Sequence, residues 1–195
     1  MRLTPVLVAR SQLLTAIELF FADQDPVSVQ ALAGNARELL EDLCRLAGIQ
    51  PMTELLLRDH PGKPKKDIYA ALNLYRNCFK HLGETENKRQ EDQLTLDQFN
   101  DSKNEYLLYV CVEDYVRLRR ATPIPMQIFQ AWFCALHVEL LSPPHQPEKF
   151  LDRFPGIREM SRAQQKWDGA ACIARFSDNP QLLAHPDTEP IFVDH

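Results

Sequence analysis

The sequence predicts an all-α protein: a bundle of four or five helices, followed by a C-terminal helical extension and an extended tail. Apolar side chains recur at spacings of three and four residues through most of the chain, as they do along one side of an α-helix. Only six of the 195 residues are glycine, which suits helices better than a turn-rich sheet protein. After residue 141 a proline-containing linker interrupts the helical spacing of apolar residues. We therefore expect the bundle to span residues 1–141, and the extension and tail, residues 142–195, to pack on it.

The first two helices are predicted from their apolar faces and their ends. Residues 10–24 form the first, which Asp25 and Pro26 should end, because proline disfavours the helical conformation of the residue before it. Ser28 is a candidate N-cap for the second helix, which runs to a natural stop at Gly48. The segment ALAGNARELL carries small residues that would let another helix approach closely. We expect the first or the central helix to lie there.

A central helix is the most regular pattern in the chain. A short helix at Pro51–Arg58 and a loop at His60–Lys66 precede it, and the helix itself should run over Lys66–Leu82 and end at Gly83. One stripe of this helix is apolar, and we expect it to be core, with its aromatic members used for packing. The stripe consists of Ile68, Leu72, Tyr75, Phe79 and Leu82.

The second half of the chain alternates polar stretches with helical patterns. The strongly polar stretch from Glu84 to Ser102 predicts a mobile connection, ordered only near Leu94–Phe99. Helices are expected at four ranges, separated by proline-containing segments at 121–125 and 142–147: Lys103–Arg120, Met126–Leu141, Glu148–Phe154 and Ile157–Phe176. The last 18 residues contain three prolines and no periodicity, which predicts an extended tail.

Composition limits the classes of function. A net charge of -5 and a pI near 5.7 argue against a uniformly basic nucleic-acid-binding protein, so any contact with RNA must come from local basic patches. Five widely spaced cysteines in apolar patterns predict reduced core thiols and a cytoplasmic location. Arg10 and Glu18 interrupt the N-terminal apolar segment, and no apolar run is long enough to span a bilayer. No membrane partner is expected.

The other side of the central helix is polar and basic. At ~100° per residue, five side chains fall together opposite the apolar stripe: Asn73, Arg76, Asn77, Lys80 and His81. Arg76 and His81 are five positions apart, about 140° around the axis. They would converge best if the helix loosened near His81, or if they acted across a dimer.

The run Arg76-Asn77-Cys78-Phe79-Lys80-His81 resembles the signature of the HEPN superfamily. That signature is an arginine, four to six residues and then a histidine, usually with Asn, Asp or His directly after the arginine. The run lies near the end of the third long helical pattern, where the family has it. The resemblance covers roughly the first 120 residues. It implies a HEPN-like helical bundle.

The resemblance also implies an activity: metal-independent RNA cleavage without a cofactor, at a composite site in a homodimer, in a toxin or defence protein with a possible cognate antitoxin. His81 would be the acid/base group, Arg76 the phosphate binder and Asn77 the orienting residue, with Lys80 and Asn73 as substrate contacts. The chemistry fits these residue types. Imidazole moves protons near neutral pH, and guanidinium offers a planar fork of donors to phosphate oxygens.

The residues leave an alternative open, a non-catalytic dimerisation or partner-binding module. In that interpretation the polar side is a solvated helix face, and His81 is stabilised at the C-terminal end of the helix dipole.

A metal site is not predicted. His137-Val138-Glu139 is similar to the His-x-Glu of zinc deaminases, but no Cys-x-x-Cys accompanies it, so Cys134 is interpreted as a core cysteine and His137 as a partly buried histidine. The acidic residues of the second and fourth helices lack the Glu-x-x-His pairs of a carboxylate metal site.

Overall fold

The computed structural model describes residues 3–81, 83–141 and 147–190. Within these ranges the chain is almost entirely helical, and the prediction of an all-α protein is confirmed. Two short strands, β1 (Thr122–Pro123) and β2 (Thr188–Glu189), pair in parallel. The helices are α1 Pro5–Phe21, α2 Pro26–Leu46, α3 Met52–Asp59, α4 Lys65–Lys80, α5 Glu86–Asp97, α6 Ser102–Arg119, α7 Ile124–Leu136, α8 Glu148–Arg153, α9 Arg162–Ser177 and α10 Pro180–Leu183.

The main core lies between α1, α2, α6 and α7. Their buried apolar side chains form one cluster, which includes Leu13, Leu40, Leu108 and Trp132. Aromatic rings from α1 and α7 meet edge to face, with the ring centroids of Phe20 and Trp132 5.5 Å apart. In the described part of the chain, no helix is both long and apolar enough to cross a membrane.

The central helix of the sequence, α4, lies at the edge of this core. Of its apolar stripe only Tyr75 is buried, and the other described members are half-buried; Leu82 lies outside the described residues. The rings of Tyr75 and Phe79 pack instead on Phe99, at centroid distances of 4.9 and 5.0 Å. The prediction that this stripe forms the core is therefore wrong. Periodicity identifies an apolar face but not the size of the cluster that the face meets.

Helix α5 occupies most of the stretch that was predicted to be a mobile connection. Thr85 caps its first turn by accepting a hydrogen bond from the backbone N–H of Lys88 at 3.2 Å. Charged pairs three and four residues apart add support, among them Arg89 with Glu86 at 3.0 Å. None of the α5 residues, all of which are described, is buried. The apolar pattern therefore could not reveal this helix.

The first two helices begin earlier than predicted, because different residues cap them. Thr4 caps α1, so the helix begins before the predicted residue 10. Asp25, rather than Ser28, caps α2, because its carboxylate accepts hydrogen bonds from two backbone N–H groups of the first turn. Pro26 takes the first helical position, where its missing N–H costs nothing. Gly48, at φ 70°, follows the end of the helix as predicted.

Small residues of α2 receive neighbouring helices, as the sequence predicts. Ala33 and Ala36 are fully buried in the core cluster. A Cβ added at Gly34 would lie 2.9 Å from Cδ of Arg76 on α4. Both α1 and α4 pack on this helix.

Helix α9 packs on α7 and α1. The contact with α1 is closest at Gly169, where an added Cβ would lie 2.1 Å from Cε1 of Phe21. Lys166 is 2% exposed and pairs with Asp23 at 2.6 Å and with Asp101 at 2.8 Å. A buried ammonium with two carboxylate partners fixes this helix on the ends of α1 and α6.

The ends of the later helices differ from the prediction. The helix predicted over Ile157–Phe176 is divided, because Ser161 and Gln164 form a capping box that starts α9 after a separate 3₁₀ turn. The helix predicted over Met126–Leu141 ends at Leu136, and a 3₁₀ turn follows. Most of the predicted linker, residues 142–146, lies outside the described residues.

The described part of the tail is not simply extended. It contains α10, and its strand β2 pairs with β1. The Glu189 carboxylate accepts a hydrogen bond from the Tyr115 hydroxyl at 2.7 Å and pairs with Arg119 Nε at 3.1 Å. These contacts hold the tail on α6. Residues 191–195 lie outside the described part.

The five cysteines carry free thiols. Burial raises the pKa of Cys44 to about 11 and the pKa of Cys134 to about 12, so these thiols stay protonated and unreactive at neutral pH. Cys111 is buried as well, and the prediction of core cysteines holds for these three. Cys78 and Cys172 are half-buried, and each lines a cavity.

Asp114 on α6 is a fully buried carboxyl group that contacts the start of α3. Its Oδ1 accepts a hydrogen bond from the Met52 backbone N–H at 2.6 Å. Its Oδ2 has no hydrogen-bond partner among the described residues. Burial raises the pKa of Asp114 to about 6, because the charged form loses its hydration.

Asp114→Asn is expected to stabilise the protein increasingly as the pH rises. The folded-state pKa lies above the unfolded value of 3.8, so the carboxyl favours folding while it is protonated, and this contribution is lost as the pH rises through about 6. The amide keeps the acceptor for Met52 and cannot ionise. The variant should exceed the wild type by about 3 kcal/mol above neutral pH and differ little near pH 4. Urea unfolding across this range measures the difference, and a gap independent of pH would contradict the assignment.

Candidate functional site

A cavity of about 710 Å³ opens between α4 and α5. Asn77 and Cys78 of α4 and His81, directly after it, contribute to its lining, and α5 contributes Lys88 and Asp92. Three of the six residues of the HEPN-like run therefore line a cavity. The wall opposite to it belongs to a helix that the sequence did not predict.

His81 directly follows the last residue of α4. Its backbone is extended, with φ −129° and ψ 132°, while its N–H still donates to the carbonyl oxygen of Asn77 at 2.9 Å. The helix was predicted to run to Leu82 but ends at Lys80, so the chain is loosened at His81, and yet His81 and Arg76 face different neighbours. The side chain of His81 is exposed, and its imidazole has no hydrogen-bond partner among the described residues. Both ring nitrogens are available to a ligand in the cavity.

The α5 wall carries a cation held by carboxylates. Lys88 Nζ lies 3.3 Å from Glu91 Oε2 and 3.4 Å from Asp92 Oδ1. Its hydrogen bonds to Glu91 and Asp92 raise the pKa of Lys88, so the ammonium remains charged. Cys78 Sγ lies 3.9 Å from Asp92 Oδ1, and burial, with a further contribution from this carboxylate, raises the pKa of the thiol. The cavity thus presents an ammonium group and a neutral thiol.

Gly83 shapes the turn between the two walls. A Cβ at this position would lie 2.7 Å from Cγ of Lys88 and 2.9 Å from the backbone nitrogen of Arg89. The chain passes too close to the first turn of α5 for any larger residue. The two helices can therefore face each other across the cavity directly after His81.

Arg76 lies on a different side of α4, against α2. Its Nη1 donates to Glu38 Oε1 at 2.6 Å, and its aliphatic stem packs on Gly34. The side chain is 17% exposed. Among the described residues Nη2 has no hydrogen-bond partner, and the buried Nε has none either, so only Nη1 is held.

The polar side of α4 is divided between two surroundings. Asn73 accepts a hydrogen bond from Arg37 Nη2 at 2.8 Å, and with Arg76 it faces α2. Asn77, Lys80 and His81 are exposed. The five polar side chains that the sequence places together opposite the apolar stripe therefore do not share one environment. Arg37 and Glu38 form a charged row on α2. This row pairs with the polar side of α4, because buried charges require polar partners.

Sequence reasoning missed the residues that surround the candidate group. Glu38 is one of the acidic residues of the second helix that were rejected as a metal site, yet it fixes the Arg76 guanidinium. Thr85, Lys88 and Asp92 all lie in the stretch that was predicted to be a mobile connection. The available signal for Thr85 was its position as an N-cap before a series of charged pairs.

The second histidine motif is part of a polar contact inside the protein. His137 Nε2 lies 3.1 Å from Glu105 Oε1, and its Nδ1 lies 3.6 Å from Glu139 Oε1. Across the described ranges, no group of three or more His, Cys, Asp or Glu side chains is placed to hold a metal ion. The described residues around the His137–Glu139 run therefore do not form a candidate metal site.

Comparison with known proteins does not add a relative to these observations. The chain matches no protein-family model, no curated protein and no solved structure. The HEPN resemblance of the Arg76–His81 run stays a prediction, and the functional argument starts from the cavity.

Proposed function

We propose that this chain is a HEPN-like, metal-independent endoribonuclease that cleaves RNA at a site shared by two copies in a homodimer. His81 acts as the acid/base group, Arg76 binds the phosphate, and Asn77 orients the imidazole ring or the ribose. One observation carries the proposal: an imidazole with no hydrogen-bond partner among the described residues lies just beyond the end of α4, in a cavity that also holds an amide and an ammonium group.

The cavity residues match the needs of intramolecular RNA cleavage. The 2′-oxygen loses its proton and attacks the adjacent phosphate, and the 5′-oxygen takes up a proton as it leaves. The products are a 2′,3′-cyclic phosphate and a 5′-hydroxyl. An imidazole can move both protons near neutral pH. Lys88 supplies positive charge for the phosphorane oxygens, and Asn77, one helical turn from His81, is placed to orient the ring or the ribose.

Arg76 supports a composite site. Glu38 fixes its Nη1 and leaves Nη2 for a phosphate oxygen, and a charge-assisted hydrogen bond from guanidinium suits that acceptor. Within one copy, Arg76 faces α2 while His81 faces α5. A two-fold dimer that sets α4 against its mate would bring the Arg76 of one copy towards the His81 of the other. Lys80 and Asn73 remain proposed substrate contacts of lesser weight, since Asn73 is already bonded to Arg37.

A second candidate, a non-catalytic dimerisation or partner-binding module, is favoured by the same contacts on α2. The Arg76–Glu38 ion pair and the Asn73–Arg37 hydrogen bond give both α4 side chains a role in holding two helices together. In the first case, a nuclease of the toxin or defence type would have a protein partner, such as a cognate antitoxin, that covers the open side of α4.

The two candidates differ in their effect on RNA. The purified protein is incubated with single-stranded RNA and with DNA of the same sequence, in the presence of EDTA. We expect cleavage of RNA alone, with 2′,3′-cyclic phosphate and 5′-hydroxyl ends, because the attack requires the 2′-hydroxyl. Cleavage of DNA, or a strict need for a divalent ion, would contradict the mechanism. Inertness of a folded dimer towards all RNAs would favour the second candidate.

A further inference from the structure

A second charged cavity lies on the C-terminal extension, between α8 and α9. Its volume is about 460 Å³, and Lys149, Arg153, Arg175 and Phe176 contribute to its lining. The guanidinium carbon of Arg153 lies 4.5 Å from the centroid of the Phe176 ring, and that of Arg175 lies 5.3 Å from it. Two arginines from different helices therefore meet on one aromatic ring at the edge of a cavity.

These arginines differ from most of the others in the protein. Among the described arginines, only Arg120, Arg153 and Arg175 have no carboxylate within ion-pair distance. Two of these three share the Phe176 ring. Asp152 and Asp168 line the same cavity without pairing with them.

Helix dipoles account for only part of this arrangement. Arg153 lies in the last turn of α8 and Arg175 in the last turn of α9, positions that favour cations. The dipoles explain each charge by itself. They do not explain why both guanidinium groups border one cavity and leave its two carboxylates unpaired.

We propose that this cavity binds a phosphate monoester whose organic part carries hydroxyl groups, such as a nucleoside monophosphate. The guanidinium groups of Arg153 and Arg175 and the Lys149 ammonium bind the phosphate. A phosphate monoester carries close to two negative charges at neutral pH, and guanidinium forks fit its oxygens. Asp152 and Asp168 accept hydrogen bonds from the hydroxyl groups. The site uses α8 and α9 only and does not depend on the proposed nuclease.

The ligand is tested by calorimetric titration of the full chain with four probes: inorganic phosphate, adenosine, adenosine 5′-monophosphate and a short RNA with a 5′-phosphate. We expect adenosine 5′-monophosphate to bind at least tenfold more tightly than inorganic phosphate, and adenosine not to bind. A preference for the RNA over the mononucleotide would identify an RNA end as the source of the phosphate. Equal binding of adenosine and its monophosphate would overturn the proposal.

The location is tested with Arg153→Gln/Arg175→Gln, which should weaken binding of adenosine 5′-monophosphate at least tenfold. Arg120→Gln is the matched control, because Arg120 is the third described arginine without a carboxylate partner and lies outside the cavity. Cys172 lines this cavity and Cys78 lines the one between α4 and α5. The ligand should therefore slow alkylation of Cys172 and leave Cys78 unaffected. Equal affinity of all three proteins, or protection of Cys78 instead, would place the ligand elsewhere and refute this site.

Discussion

Replacing His81 by alanine is expected to lower the rate of RNA cleavage by about 10²–10⁴-fold, the contribution typical of a general acid or base. The imidazole has no hydrogen-bond partner among the described residues and lies beyond the end of α4, so its removal should leave helicity and melting temperature unchanged. Initial rates on a fluorescent RNA measure the effect. His60→Ala is the control, because His60 is also exposed and bonds only to the Leu56 carbonyl oxygen. Cleavage at the wild-type rate by the His81 variant would end the nuclease proposal.

The same assay can also test whether Arg76 and His81 of one site come from different copies of the chain. Arg76→Met keeps the stem that packs on Gly34 and removes the guanidinium. Neither this variant nor His81→Ala should be active alone. Refolded together, they form mixed dimers in which one site retains both His81 and Arg76, and part of the activity should return. No recovery in a verified mixed dimer would mean that each copy needs its own Arg76 and His81.

Local signals predicted the helices whose ends are marked in the chain. Gly48 stops α2, and α6, at Ser102–Arg119, deviates from its predicted range by a single residue at each end. Helix α5 was missed because it has no buried face, and its cap and charged pairs carry weaker signals than apolar periodicity. Where an apolar pattern was present, it predicted a helix, although α7 ends earlier and α9 begins later than predicted.

The candidate site was predictable only in part, because its surroundings depend on tertiary packing. Helical geometry correctly set the polar residues of α4 opposite its apolar stripe. It could not show that α2 pairs with Asn73 and Arg76 through its own charged row, which leaves Asn77 and His81 to the cavity. That division depends on how closely Gly34 lets the two helices approach, a property of the pair rather than of either sequence segment.

Gly169→Ala is expected to be among the most destabilising single-methyl changes in the protein. The new Cβ would lie 2.1 Å from Cε1 of Phe21, a separation that real atoms do not reach. The Phe21 ring cannot simply turn aside, because it packs edge to face on Trp132 with the centroids 5.4 Å apart. Helix α9 must therefore move away from α1, which also strains the buried ion pairs of Lys166. We expect a loss of about 3 kcal/mol of unfolding free energy.

Gly34→Ala is the matched control for this prediction, since it adds the same methyl group to a buried glycine in a helix. Its Cβ would meet Cδ of Arg76 at 2.9 Å, and this contact can be relieved by moving one side chain and weakening its Glu38 ion pair, without moving a helix. Alanine also favours the helix by up to about 1 kcal/mol over glycine, so the net change should be small. Thermal melting should show a drop of about 6–12 °C for Gly169→Ala and little change for Gly34→Ala. Equal melting temperatures for the two variants would show that α9 does not press on Phe21 as closely as the structure has it.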